Sequence, residues 1–156
     1  MRTLVLGLGN PILSDDGVAI HVVRAAAAQS PQENGTVFAE ASVGGLRLLD
    51  LLTGYERVIL VDAIQTHDGD PGACYLLRPG DLAQSLHSGC THDLSLPAAL
   101  ALGRGLGMEL PVEEAITILA IEAQDVLTFG ESCTPEVTAA LPNAVQALLV
   151  ELENQA

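Results

Sequence analysis

The sequence predicts an α/β fold, a three-layer sandwich in which helices flank a mostly parallel, twisted central sheet. Apolar runs of strand length alternate with longer helical patterns along the 156 residues, as in repeated strand–helix–strand units. Two of these runs, Arg57–Val61 and Ala115–Ile121, are almost continuously apolar, which is typical of strands covered on both faces. Because aromatic residues make up only 3% of the chain, we expect an aliphatic core.

Each expected strand is a short apolar run bounded by turn-forming residues. The second run follows an Asn34-Gly35 turn, and a loop rich in glycine and aspartate, Ala63–Gly72, separates the third run from the fourth. We expect five strands, at Thr3–Leu6, Thr36–Ala41, Arg57–Val61, Ala73–Leu77 and Ala115–Ile121.

Helices are expected where apolar residues recur at a spacing of three or four. The first helix has Ser14 or Asp15 available as its N-cap. The last begins at Thr134, which precedes a proline and a glutamate, and Pro142 is expected to kink it. The helices are expected at Val18–Ala28, Gly45–Leu52, Leu94–Leu106 and from Thr134 toward Glu153, with one short helical stretch within Arg78–Thr91 and a loop at Ala123–Cys133.

Length and composition predict one soluble domain spanning residues 1–156. Twenty acidic and six basic residues give a net charge of −14, which disfavours nucleic acid and anionic membranes as partners. The charge has two interpretations, general solubility or a cationic or metal-bearing partner.

The sequence predicts a cytoplasmic protein. Its three cysteines are widely spaced and form no C-x-x-C pair, and it shows no signal peptide and no apolar stretch of transmembrane length.

The most informative segment is LGLGNPILSDDG, Leu6–Gly17, between the first strand and the first helix. A Gly-x-Gly turn here suggests a nucleotide site, but the dinucleotide fingerprint requires a third glycine where this chain has Ile12. Two adjacent carboxylates, Asp15 and Asp16, also lie where a phosphate would need positive potential. The sequence contains no P-loop motif and no G-x-S-x-G elbow, so a P-loop enzyme and a serine hydrolase are both disfavoured.

Three polar side chains are expected at the carboxyl edge of the sheet, where ligands of open α/β folds bind. Asp16 lies between the first strand and its helix, Asp62 follows Arg57–Val61, and His92 precedes a helix. Each has a structural alternative, because such residues often cap a helix or a turn. Together, two carboxylates and an imidazole suit a first-row divalent metal such as nickel, zinc or manganese. The remaining histidines are expected to be solvated: His21, His67 and His87.

Several segments match one known family. Two are specific, the opening GLGNPILSDDG motif at 7–17 and the THDLSLPAALALGRGLG stretch at 91–107. Weaker segments are VGGLRLLDLL at 43–52, VDAI at 61–64, PG at 71–72, AIEAQD at 120–125, and FG followed by SCTPEVTAALPNAV. With these segments, the chain resembles the hydrogenase maturation endopeptidases, the processing proteases of nickel-iron hydrogenases, over nearly its whole length.

The resemblance implies that Asp16, Asp62 and His92 contact the metal and carry the catalysis. Many family members have Glu where this chain has Asp16, which is one methylene shorter, so the metal distance or preference can differ. Most members also have Thr in the segment that here contains Val43 and Gly44. The supporting residues would be Gly7, Gly9, Asn10, Asp15 and Gly44, with the glycines bringing backbone close to a peptide substrate and Asp15 holding the turn and capping the helix.

The resemblance also implies the reaction. Such enzymes remove a short C-terminal extension from the hydrogenase large subunit after nickel has been inserted. The expected partner is therefore the nickel-loaded precursor, which supplies the nickel, and the isolated protein would hold no metal tightly. The alternative is a non-enzymatic nickel-binding maturation chaperone, which would bind metal tightly without substrate.

Overall fold

A computed structural model describes residues 1–30, 35–44, 46–84 and 96–154. Its sheet has the strand order β2-β1-β3-β5-β4. The first four strands in that order are parallel to their neighbours, and β4 runs antiparallel to β5 at one edge. The strands are β1 at Thr3–Leu8, β2 at Thr36–Ala41, β3 at Arg57–Ile64, β4 at Cys74–Leu77 and β5 at Ile116–Glu122.

Helices cover both faces of this sheet, which confirms the predicted three-layer architecture. They are α1 at Val18–Gln29, α2 at Leu46–Leu52, α3 at Pro79–Gln84, α4 at Leu96–Gly105 and α5 at Pro135–Glu153. One apolar cluster joins α1 and α5 to alternate strand residues such as Val5 and Ile59. A second cluster joins α2 and α4 to the intervening residues, among them Leu4 and Leu60. Both faces of the central strands are therefore buried, which explains their continuous apolar runs.

The largest boundary difference concerns the third strand. The prediction ended it at Val61, but β3 continues to Ile64 because its pairing with β5 continues through Asp62↔Ala120 to Ile64↔Glu122. Asp62 therefore lies within the strand, and the following loop begins later than predicted. A polar residue does not end a strand whose neighbour continues the hydrogen-bonded ladder.

The other boundaries differ by one or two residues where the structure describes them. Strand β1 is two residues longer than predicted, and β4 and β5 begin one residue later. Gly45 and the first two residues of the predicted helix Leu94–Leu106 lie outside the described residues. Helix α5 begins as predicted, with Thr134 as its N-cap, and continues as one helix through Pro142. Among the described residues, no helix is both long and apolar enough to cross a membrane.

A buried polar network fastens the end of α5 to the amino edge of the sheet. Arg57 donates hydrogen bonds to the backbone carbonyls of Glu151 and Leu152 near the end of α5. Its guanidinium also lies 3.4 Å from the Glu151 carboxylate, which accepts a 2.9 Å hydrogen bond from Thr117. The Thr117 hydroxyl in turn accepts a 2.9 Å hydrogen bond from Arg78. The amino edge therefore pairs its buried acid with a cation.

Candidate active site

The strand order places a crevice at the carboxyl ends of β1 and β3. The connection after β1 leads to β2 on one side, and the connection after β3 leads to β4 on the other side. The two connections therefore diverge and leave an opening between them. The loop after β1, residues 9–17, lies at this crevice, and Asp62 is near the carboxyl end of β3. The predicted position of the site is therefore where the topology forms a cleft.

The turn after β1 requires a glycine at its first position. Gly9 has a φ of 150°, and a Cβ there would lie 1.9 Å from the carbonyl oxygen of Asp16. The Asn10 N–H donates a 2.9 Å hydrogen bond to Oδ2 of Asp16. The Gly9 N–H donates a 3.0 Å hydrogen bond to the Ala41 carbonyl, and the Ser42 hydroxyl donates a 2.6 Å hydrogen bond to the Gly9 carbonyl. These contacts fold the loop back on itself and fix the Asp16 carboxylate against the turn.

The other two glycines expected to support the site have different positions. A Cβ on Gly7 would lie 3.0 Å from both the Ala19 carbonyl oxygen and Cγ2 of Val23, so this glycine lets α1 pack closely on β1. That packing sets the position of the loop between the two elements. Gly44 lies in the loop after β2, at the same edge of the sheet.

Asp15 has a structural role, but not the one expected. It was predicted as a candidate cap for α1, yet the N-cap position of α1 is occupied by Gly17 and no side chain bonds there. The fully buried Asp15 carboxylate instead accepts hydrogen bonds from the backbone N–H groups of Gln124, Asp125 and Thr134 at 2.9, 3.0 and 2.7 Å. The Thr134 hydroxyl adds a fourth at 2.9 Å.

This arrangement explains why two adjacent acids follow the first strand. Asp15 connects the loop after β1 to the loop after β5 and to the residue that begins α5. Ser14 was the other candidate cap, and its hydroxyl also bonds across to that second loop, at the Thr128 carbonyl. Because the N–H donors of Asp15 are distant in sequence, helix-capping patterns could not reveal them.

Asp62 has the most perturbed acidity at the cleft. The side chain keeps some solvent exposure, but burial of its carboxyl raises the pKa of Asp62 to about 8. The N–H of Ala63 lowers this pKa, and the charge of Asp16 raises it. The two carboxyls therefore interact electrostatically, and the structure brings these two predicted residues together. Such perturbed pairs in a cleft are common at functional sites.

The third predicted residue, His92, lies outside the described residues, as does His87, so its place at the cleft stays a prediction. Within the described ranges, no three His, Cys, Asp or Glu side chains are grouped so as to hold a metal ion. His67 is exposed, as predicted. The expectation for His21 was wrong, because α1 buries its Nε2 atom without a partner in the described part of the chain.

Sequence reasoning missed Glu122, at the end of β5. Its buried carboxylate accepts hydrogen bonds from both the N–H and the hydroxyl of Thr66, and lies 3.4 Å from the Tyr75 hydroxyl. Gly69 packs so closely that a Cβ there would overlap this carboxylate. Glu122 therefore holds the loop after β3 in place. The available signal was the one that identified Asp62, an acid that follows a buried apolar run.

Comparison with known proteins agrees with this fold. A family model of hydrogenase maturation protease, HycI, matches residues 20–151. The hydrogenase 2 maturation protease of Escherichia coli (strain K12) is 27% identical over 153 residues, which are 97% of this chain and 91% of that protein. The HupD hydrogenase expression/formation protein of Rhizobium leguminosarum bv. viciae is 24% identical, covering 93% of this chain and 71% of its own length.

Solved structures show the same relationship. The hydrogenase maturating endopeptidase HybD from E. coli has a TM-score of 0.84 and 25% identity, covering 100% of this chain and 94% of its own. The [NiFe] hydrogenase maturation protease HybD from Thermococcus kodakarensis has a TM-score of 0.72 and 25% identity, covering 97% and 99%.

The fold and these matches thus define a class of α/β proteins that cleave peptide bonds. More particularly, the chain belongs to the hydrogenase maturation protease family and is an endopeptidase.

Proposed function

We propose that this endopeptidase removes the C-terminal extension of a nickel-iron hydrogenase large-subunit precursor after nickel has been inserted. In this proposal Asp16, Asp62 and His92 contact the nickel that the precursor carries, so that only a completed precursor is cut. The observation that supports it most is the convergence of Asp16 and Asp62 at the crevice. Neither carboxylate forms an ion pair with a cation in the described part of the chain.

The donor chemistry fits such an ion. Carboxylate oxygens and an imidazole nitrogen form a mixed ligand set that suits first-row divalent metals. The positive charge of such an ion would attract both carboxylates, which otherwise repel each other. We treat the nickel as part of the substrate, and other divalent cations could substitute for it in vitro. The loop hydrogen bond from Asn10 is made to Oδ2 of Asp16, and no hydrogen bond among the described residues competes with an ion for the other carboxylate oxygen.

Two roles for the ion are consistent with this site. In the first, it polarises the scissile carbonyl or a water molecule while Asp16 or Asp62 acts as general base. The water then loses a proton to the base and adds its hydroxyl to the carbonyl carbon. The C–N bond breaks, and the leaving amine takes up the proton. In the second role, the ion is only a recognition signal, and the carboxylates act on water without its help.

The departure at position 16 can be tested directly. Asp is one methylene shorter than the Glu that many family members carry, and the Asn10 hydrogen bond fixes its reach. We expect the Asp16→Glu variant to retain processing, because its carboxylate can still reach the cleft.

The defining experiment incubates the nickel-loaded precursor with the protein and measures the mass of the released peptide. We expect Asp62→Ala to reduce processing at least a hundredfold, with an unchanged circular dichroism spectrum. The matched control is Asp50→Ala, which removes an exposed carboxylate on α2 and should process normally. Full processing by the Asp62→Ala enzyme would show that the site is wrongly assigned.

The cellular location is part of the same proposal. Cys74 and Cys133 are free thiols, whereas Cys90 lies outside the described residues. Free thiols are typical of a reducing compartment, which supports a cytoplasmic enzyme that meets its substrate there.

A further inference from the structure

The loop between β5 and α5 exposes two large apolar side chains. Leu127 is 82% exposed and Phe129 is 81% exposed. Phe129 is one of only two phenylalanines in the chain, so a scarce aromatic residue is placed in water instead of in the core. Contact between large apolar side chains and water is unfavourable. Exposed apolar side chains on a well-fixed loop therefore indicate an interaction site.

Hydrogen bonds fix this loop at its base and at its tip. Oδ1 of Asp125 accepts bonds from the N–H groups of Leu127 and Thr128 at 2.9 and 3.0 Å. The Ser14 hydroxyl donates to the Thr128 carbonyl at 2.7 Å. The exposed side chains are therefore carried on a pre-organised backbone, which reduces the conformational entropy lost when a partner binds.

The same loop is joined to the segment that carries Asp16. The Gly130 N–H donates to the Ile12 carbonyl at 2.9 Å, and the Ser14 N–H donates to the Gly130 carbonyl at 3.0 Å. Ile12 is itself 47% exposed and lies four residues before Asp16. We refer to Ile12, Leu127 and Phe129 as the apolar platform. It adjoins the acidic cleft through these backbone contacts.

The charged side chains of the two loops that carry the platform are all negative. Residues 9–17 and 123–134 contain four acids and no Lys or Arg, and Asp15 is the fully buried one of the four. Hydrogen bonds from the side chain and N–H of Thr128, and then from the N–H of Leu127, hold the pKa of Asp125 below its usual range. Glu131 is exposed on the other side of Phe129. A complementary partner surface is apolar at its centre and basic at its rim.

We infer that the apolar platform docks the precursor protein through an apolar patch bordered by basic residues, beside the segment to be cut. This inference rests on the proposed function, because it takes the hydrogenase precursor as the occupant. A second copy of the chain would bring another acidic rim against the first, at a net charge of −14 on each copy. The charge argument therefore favours the precursor over self-association.

The test compares two double variants of the full chain. Leu127→Ser with Phe129→Ser, the platform variant, removes the two most exposed side chains of the platform, and Leu106→Ser with Val112→Ser is the matched control. The control pair is 68% and 62% exposed, and it lies toward the opposite edge of the sheet, between α4 and β5. The affinity for the nickel-loaded precursor is measured by titration calorimetry, KM and kcat by processing, and self-association by sedimentation velocity.

We expect the platform variant to weaken precursor binding and raise KM by about tenfold or more, with kcat within about twofold. The control should match the wild type, and added salt should weaken wild-type binding. Unchanged affinity and KM in the platform variant would overturn the inference while leaving the proposed function intact. A wild-type dimer that the platform variant converts to monomer, with KM unchanged, would overturn it in favour of a second copy.

The failure of the proposed function has a different signature. If the wild type binds the precursor but does not cut it, loss of binding in the platform variant still supports the docking surface. If the wild type neither binds nor cuts the precursor, both the docking surface and the proposed function are wrong.

Discussion

The two edges of the sheet hold carboxylates in opposite electrostatic settings. At the amino edge, Glu151 lies 3.4 Å from the Arg57 guanidinium and accepts a hydrogen bond from Thr117. At the carboxyl edge, burial and then the charge of Asp16 raise the pKa of Asp62, and neither carboxylate has a cationic partner among the described residues. The amino edge is thus arranged for stability, whereas the carboxyl edge keeps an unfavourable pair that a bound cation would relieve.

The largest effect on stability is expected at the amino edge. Arg57→Ala should lower the free energy of unfolding by about 3–5 kcal/mol, because it leaves the Glu151 carboxylate without its buried cation. The last carbonyls of α5 would lose their donors as well. Chemical denaturation measures the change, and the processing rate of the folded fraction should stay near the wild-type value. A loss of less than about 1 kcal/mol would mean that the network contributes little.

A smaller loss of stability is expected from Asp15, which is an exception to the contrast between the two edges. Asp15 is at the carboxyl edge, yet it accepts four hydrogen bonds and is structural. Asp15→Ala should lower the free energy of unfolding by about 2–4 kcal/mol, because buried N–H groups lose their acceptor. Hydrogen exchange should show faster exchange at Gln124, Asp125 and Thr134. Unchanged protection at these amides would contradict this role.

Nickel binding by the isolated chain gives a smaller signal that separates the enzyme from a chaperone. With nickel supplied by the precursor, we expect calorimetry of the protein alone to show weak binding or none. The described residues contain only two of the proposed ligands, Asp16 and Asp62. Each of these carboxylates accepts a backbone hydrogen bond, Asp16 from Asn10 and Asp62 from Ala63. Tight binding without precursor would favour the chaperone alternative instead.

The sequence predicted the sheet, its layers and the position of the cleft, because hydrophobic periodicity reports directly on burial. It expected Asp16 and Asp62 at one edge, since parallel strands end together, and in the structure the charge of Asp16 acts on Asp62 although Asp62 lies within β3. It could not assign Asp15, whose N–H partners at Gln124 and Thr134 are more than a hundred residues away. Glu122 had the same local signal as Asp62, an acid after a buried apolar run, but its role depends on partners in the loop after a different strand.

The end of β3 shows a second limit of sequence patterns. Asp62 looked like the end of the strand because it interrupts an apolar run, but the ladder to β5 continues past it. Strand length is set by the neighbouring strand, which a single run of residues does not reveal. The exposure of Phe129 is likewise a tertiary result. Its loop is fixed by the hydrogen bond that the Ser14 hydroxyl donates to the Thr128 carbonyl and by the one that the Asp125 carboxylate accepts from the Leu127 N–H.

The carboxyl edge keeps its acids for function at the expense of stability, and the Asp62→Asn variant separates these two effects. Burial raises the pKa of Asp62 from 3.8 to about 8 in the folded protein, so the stability of the wild type is greatest below about pH 4. It falls as the pH rises from 4 to 8, because the unfolded chain has then lost the proton that the folded chain still binds. The asparagine variant carries no such charge. Its advantage in free energy of unfolding should therefore grow from near zero at pH 4 to about 2–5 kcal/mol at pH 8 and above.

Two properties of one Asp62→Asn preparation are measured. Its free energy of unfolding is measured with a chelator present, and its processing rate is measured with the nickel-loaded precursor. We predict a protein that is more stable than the wild type at pH 8 and at least a hundredfold slower in releasing the C-terminal peptide. A variant that is less stable at pH 8, or that processes the precursor at the wild-type rate, would contradict the account.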